Sequence, residues 1–364
     1  MTDMNQAPGR ASAAALRAKL RTLVVKNSRL DMIEALTIDL LEETSELVDA
    51  DIEAEKEAER EAEKRGDPRK QPITYTELSA MPIIGPSGST KTTSMVAIAE
   101  KLKKKHPGKT PILVVKLRSS TTKLKHLHVQ ILEAFNDPQA NTVRNQIVTH
   151  SDNVSADAIR NVARAAGTYI VVLDEAHSVI GVREKWARAQ AFAPHIKSLV
   201  NDGLFAVIVM GTEDANLFFE TLPELNNRKF DSISLNPIDL SNPEDFSYFY
   251  KLIGRIDRKL VALDILDEPI GLVDDLKSRG LLYDMSDGVV GVICRILIIA
   301  LRMVQRKGRR TIDFDNDIKQ AFWAWKAEQK DEDGNSIKIY DPFVEKIRPT
   351  TTNTVATMSK KLGI

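Results

Sequence analysis

The chain has 364 residues, 43% hydrophobic and 28% charged, an ordinary soluble composition with enough apolar mass for more than one core. Lysine plus arginine equals aspartate plus glutamate at 51 each, so overall charge points to no polyanionic partner, and any such case rests on local clustering. The single Cys294 excludes a disulfide framework, no run reaches roughly 18 uninterrupted apolar residues, and the opening MTDMNQAPGR lacks an apolar signal segment, so a cytoplasmic protein without a membrane span is expected.

The predicted elements begin with an acidic stretch, EETSELVDADIEAEKEAEREAE over 42–63, expected as a solvated helix that runs into a disordered linker ending at RGDPRKQP. Four β-branched apolar runs follow, AMPIIG, TPILVVKL, TYIVVLDE and LFAVIVMGT, each short and each closed by a polar or glycine-bearing turn. Helical patterns separate them over 91–105, 122–135, 155–166 and 184–202. Strands that are apolar on both faces and alternate with helices imply a parallel sheet covered on both sides. After Pro237 the pattern turns wholly helical, and the last stretch, from DEDGNSIKIY onward, is polar and weakly periodic and reads as a tail. The expected division is a helical acidic extension over 1–72, an α/β nucleotide-binding core over 73–238, a helical lid over 239–330 and a C-terminal tail over 331–364.

The first apolar run leads into GPSGSTKTT, the order of strand, glycine-rich turn and helix that a phosphate-binding loop requires. Backbone N–H groups from Gly85, Pro86, Ser87, Gly88, Ser89 and Thr90 onward would surround the phosphates, with Pro86 contributing no donor. Lys91 would reach the β and γ phosphates, and Thr92, followed by Thr93, would hold Mg²⁺ beside ATP. One position departs from the usual pattern, because Thr90 stands where glycine normally precedes the lysine. A right-handed conformation there would cost nothing, whereas a positive φ would strain Thr90 by about 1–2 kcal/mol.

The third run ends in Asp174 and Glu175. At the carboxyl end of a strand, Asp174 would join the Mg²⁺ shell and Glu175 would polarise a water for attack on the γ-phosphate. His177 reads as a residue that caps or packs nearby. The fourth run ends in Thr212, either a sensor of the γ-phosphate or an ordinary turn threonine. Arg228, ahead of the last short strand, is expected to project into a neighbouring subunit's site, the alternatives being Lys229 in that role or a surface ion pair; a guanidinium suits the task because its charge is permanent and planar. In SDGVVGVICRIL, Arg295 either leans on the nucleotide or is solvated on an amphipathic helix.

Between Lys101 and Lys125 there are nine lysines or arginines and no acid. Within that block, KLRSSTTKLKHLH mixes cations with hydroxyls, which suits phosphate contact without base readout. Arg118, Thr121, Lys123 and Lys125 are the expected duplex-DNA contacts. No aromatic residue interrupts the block, so stacking on single-stranded bases is not indicated.

Taken in order, GPSGSTKT, VVLDEAH, VIVMGT, NNRKF and SDGVVGVICRIL resemble the AAA+ ATPases of transposition, the TniB and TnsC group, over roughly two thirds of the chain from Ile73 to Lys307. The resemblance implies an α/β P-loop AAA+ core followed by a helical lid, and a homo-oligomer on duplex DNA, as a ring or a filament that is hexameric per turn. It further implies recruitment of an integrase-type transposase and a target-selector protein as a possible partner. Thr90, the acidic extension and the tail are departures from the family pattern. A nucleotide-switched scaffold with little turnover, and a helicase-loader or defence ATPase on the same core, are the alternatives.

Overall fold

The computed structural model describes residues 27–66, 75–141, 152–330 and 334–363. They fall into two compact units, one formed by Arg29–Ser87 with Lys91–Leu235, the other by Asn236–Ile364 with Gly88–Thr90.

The first unit opens with α1 (Ser28–Arg65), a 38-residue helix. Its buried positions, Leu30, Ile33, Thr37, Leu40, Thr44 and Val48, recur at three- and four-residue spacing, which makes one continuous stripe along a helix. Polar pairs add to that stripe. The Asp51 carboxylate accepts from the Thr76 amide and hydroxyl at 2.7 and 2.9 Å, Tyr169 donates to Asp49 at 3.1 Å, and Arg164 pairs with Glu55 at 2.7 Å. The acidic stretch is therefore a helix docked by its first half, with its exposed carboxylates confined to the other faces.

Then come β1 (Ala80–Ile84), α2 (Lys91–Lys105), β2 (Ile112–Lys116), α3 (Leu124–Ala134), α4 (Asp152–Ala166), β3 (Ile170–Asp174), α5 (His177–Ile180), α6 (Lys185–Asn201) and β4 (Ala206–Gly211). The unit closes with α7 (Leu217–Thr221), α8 (Pro223–Asn226) and β5 (Ile233–Ser234). All five strands are parallel, in the order β2-β3-β4-β1-β5. Every residue of β1, β3 and β4 is buried, as expected for strands covered on both faces. The expected α/β fold with a parallel sheet followed by helices is the one observed.

In the second unit, α9 (Pro243–Ala262), α10 (Leu276–Ser286), α11 (Val290–Arg306), α12 (Lys319–Ala327) and α13 (Pro349–Leu362) surround a separate apolar core. The segment read as a tail differs from expectation here: within it α13 places Val355 at 0% and Met358 at 6% exposure in that core. Its first turn is held from outside the helix, since Asp284, 1% exposed, accepts from the Arg348 amide and the Thr351 hydroxyl, each at 2.7 Å.

Candidate nucleotide site

Parallel strands put all their carboxyl ends on one side, and the sheet order decides which of them are neighbours. With β4 between β1 and β3, the Gly85 amide donates to the Gly211 carbonyl at 3.1 Å, and the Ala176 amide to the Met210 carbonyl at 2.8 Å. The phosphate loop, the acidic pair and Thr212 thus meet around the end of β4.

Lys91, 8% exposed, opens α2 and donates through Nζ to the Gly85 and Pro86 carbonyls at 2.6 and 3.1 Å. Burial lowers its pKa, opposed by the nearby Glu175 and Asp174 carboxylates. Asp174, 2% exposed, has its pKa raised by burial, against the hydrogen bonds from Thr92 and the Glu175 amide. The Thr92 hydroxyl donates to Asp174 Oδ2 at 2.8 Å, and the Glu175 amide to Oδ1 at 2.9 Å. A hydroxyl and a carboxylate at this separation are hard oxygen donors of the kind that Mg²⁺ takes alongside phosphate and water. The donor set fits that ion.

The backbone answers the question raised by Thr90, which stands at φ 70, with Gly88 at φ 88 two residues before it. The strained alternative is the one realised: a β-branched side chain occupies a conformation that glycine tolerates freely. Glu175 shares this left-handed backbone at φ 56, which turns the chain sharply after Asp174. In the unit that contains Gly88–Thr90, the Gly291 amide donates to the Gly88 carbonyl at 2.9 Å, and a β-carbon on Gly291 would lie 2.1 Å from that oxygen. The glycines of SDGVVG are therefore there for close approach; the second lies one turn before Arg295, which is exposed on α11.

The Thr212 amide donates to His177 Nδ1 at 3.3 Å, and His177 Nε2 lies 3.5 Å from the Glu175 carboxylate. A β-carbon at Gly211 would come within 3.3 Å of both the His177 amide and Nδ1. The imidazole thus sits between the ends of β3 and β4, a placement that the sequence hints at only through the glycine before Thr212.

Arg228 lies elsewhere. Its carbonyl accepts from the Ala80 amide at the amino end of β1, about 13 Å along the strand from Ile84 at some 3.3 Å per residue. The guanidinium pairs with Glu77 at 2.5 Å, and its Nη1 is buried without a partner. The structure does not bring Arg228 to its own chain's phosphate loop.

Among the residues expected to contact DNA, Arg118 and Lys123 are exposed, with Arg118 paired to Glu133 at 3.0 Å, and Lys125 is half-buried. Thr121 is fully buried, and its hydroxyl accepts from Gln130. That threonine sits beneath the surface its neighbours form.

The strand–loop–helix at Gly85–Thr92 and the parallel sheet give this unit the form of a P-loop α/β core, with the helical unit described separately. Residues 70–239 match the family model described as bacterial TniB protein, so over that segment the chain is TniB-like, in agreement with the resemblance carried by its motifs. No curated protein matches. Among solved structures, the chain is similar to the ORC2 protein of Aeropyrum pernix, solved in ADPNP and ADP complexes, with 14% identity and a TM-score of 0.47 over 68% of this chain and 62% of that one. Cdc6p of Pyrobaculum aerophilum gives 14% identity and a TM-score of 0.41, covering 78% of this chain and 74% of that one. Drosophila ORC bound to DNA gives 11% and 0.43, covering 100% and 83%. The chain thus spans less than two thirds of the ORC2 protein's length. Among the described residues no helix is long and apolar enough to cross a membrane, and no three His, Cys, Asp or Glu side chains cluster as a metal site.

Proposed function

We propose that this protein is a cytoplasmic, ATP-dependent regulator of transposition that assembles on duplex DNA and recruits an integrase-type transposase. The observation that carries the reading is the convergence of Lys91, Thr92, Asp174 and Glu175 at one end of a parallel sheet, inside a TniB-like segment. Lys91 exchanges its two carbonyl partners for phosphate oxygens when ATP enters. Thr92 and Asp174 would hold Mg²⁺, which would supply charge neutralisation beside the bound phosphates. Glu175 takes the proton of the attacking water, and Thr212 marks the γ-phosphate from the end of β4. Arg295 approaches the nucleotide from α11, and Arg228 acts in trans only after releasing Glu77. Arg118, Lys123 and Lys125 contact the DNA backbone, with Thr121 set behind them.

Phosphate release measured for wild type and Glu175→Gln, with and without duplex, tests the enzymatic part. Equal and negligible rates would refute it. They would instead favour a nucleotide-switched scaffold, a second reading that the left-handed backbones of Thr90 and Glu175 support. Charge reversal at Lys123 and Lys125 is expected to abolish ATP-dependent assembly on DNA while sparing nucleotide binding. Normal assembly of that variant would refute the assigned surface.

A further inference from the structure

The turn between α5 and α6, with the first turn of α6, carries a cluster that the nucleotide site does not use. Val182 and Trp186 are 54% and 53% exposed, four residues apart, with Arg183 and Arg188 exposed beside them. Neither arginine pairs with a carboxylate among the described residues. Single exposed apolar side chains are ordinary; an exposed tryptophan flanked in sequence by two arginines that pair with no described carboxylate is less so.

The turn is also held in shape. Gly181 and Glu184 both adopt left-handed backbones, at φ 65 and 55, and a β-carbon at Gly181 would meet Arg188 Nη1 at 2.7 Å, so the guanidinium folds over the turn. Lys185 grips Asp214 at 2.8 and 3.0 Å. Glu184 thus holds a sparsely populated backbone conformation at this surface turn. The Ser178 hydroxyl donates to the Leu117 carbonyl at 3.2 Å, which ties α5 to the start of the segment bearing Arg118 and Lys123. With Lys116 opposite Asp174 in parallel strands, both loops leave the same end of adjacent strands.

We propose that the 182–188 segment is a second duplex-DNA contact, in which Arg183 and Arg188 take backbone phosphates and Trp186 lays its indole against the sugar edge. The inference rests on the DNA-binding reading above. Phosphate supplies the counter-charge that both guanidiniums lack, and the indole N–H adds a donor for the same backbone.

The test uses the full chain, a labelled duplex and a non-hydrolysable ATP analogue, with affinity followed from about 50 to about 200 mM salt. Loss of two phosphate contacts in Arg183→Ala/Arg188→Ala lowers the salt slope by about 2, so affinity falls roughly tenfold less steeply over that range than for wild type. Arg183→Lys/Arg188→Lys keeps the slope, which separates lost charge from a misfolded turn. Trp186→Phe removes the DNA-induced change in tryptophan emission while leaving ATP binding intact. Unchanged affinity and slope in the alanine variant, alongside loss of assembly on charge reversal at Lys123 and Lys125, would overturn this inference alone. Weakened self-association of the alanine variant without DNA would also overturn it, by making the turn a subunit contact. A wild-type protein that binds no duplex would sink the DNA reading and this inference together.

Discussion

Replacing Thr90 by glycine should stabilise the protein. Thr90 stands at φ 70, where an L side chain costs about 1–2 kcal/mol and a β-branched one is a genuine outlier. Glycine removes that cost but adds about 0.5–1 kcal/mol of backbone entropy to the unfolded chain, which leaves a net gain of about 0.5–1 kcal/mol. At a urea dependence of about 2–3 kcal/mol per molar, the midpoint of unfolding rises by about 0.2–0.5 M. Thr90→Ala keeps the β-carbon at positive φ and should recover little of the gain. Because the proposed phosphate donors are main-chain amides, Mg²⁺–ATP affinity, followed with a fluorescent nucleotide, should hold or tighten in the glycine variant. A midpoint that falls, or weakened nucleotide binding, would refute the reasoning, for it would mean that the threonine hydroxyl or methyl makes contacts worth more than the strain.

Three further outcomes follow from the geometry. Gly291→Ala sets a β-carbon 2.1 Å from the Gly88 carbonyl and should cost about 1–3 kcal/mol, read as an earlier urea transition. Leu40→Ala, at a fully buried position on α1, should cost about 2–5 kcal/mol and speed proteolysis between α1 and the sheet; a change within a few tenths would mean that the helix is not docked. For Asp284, burial first, against its hydrogen bonds, holds the pKa above the ordinary aspartate value, so the folded state keeps the proton to higher pH than the unfolded state does. Stability from this group is therefore complete below a pH of about 4 and is lost as pH rises through the raised pKa; Asp284→Asn should flatten that slope in urea midpoints taken across the acid range.

The four long strands were legible because each is a short β-branched run with no polar face. Observed spans at Ala80–Ile84, Ile112–Lys116, Ile170–Asp174 and Ala206–Gly211 fall inside the predicted runs. The helix at Lys91–Lys105 matches its predicted bounds, and those at Leu124–Ala134 and Lys185–Asn201 fall within a few residues of theirs. Strand order was not legible, since pairing β4 between β1 and β3 depends on contacts remote in sequence. Nor was α13: PTTTNTVATMSKKL is rich in threonine, a poor helix former, and its helix depends on Asp284 and on the apolar positions of Val355 and Met358. The phosphate loop and acidic pair were readable as motifs, yet the handedness at Thr90 depends on how the loop closes. The burial of Thr121 was hidden because its partner, Gln130, lies nine residues ahead.

Placing β4 between the lysine-bearing and the acid-bearing halves of the site has a mechanical consequence. Within the sheet the two halves share no backbone ladder of their own, and each leans on the same short segment, Met210 to Thr212. A shift of that strand end by a fraction of an ångström would move Lys91 relative to the two carboxylates, with the Thr92–Asp174 hydrogen bond as a direct link between the halves.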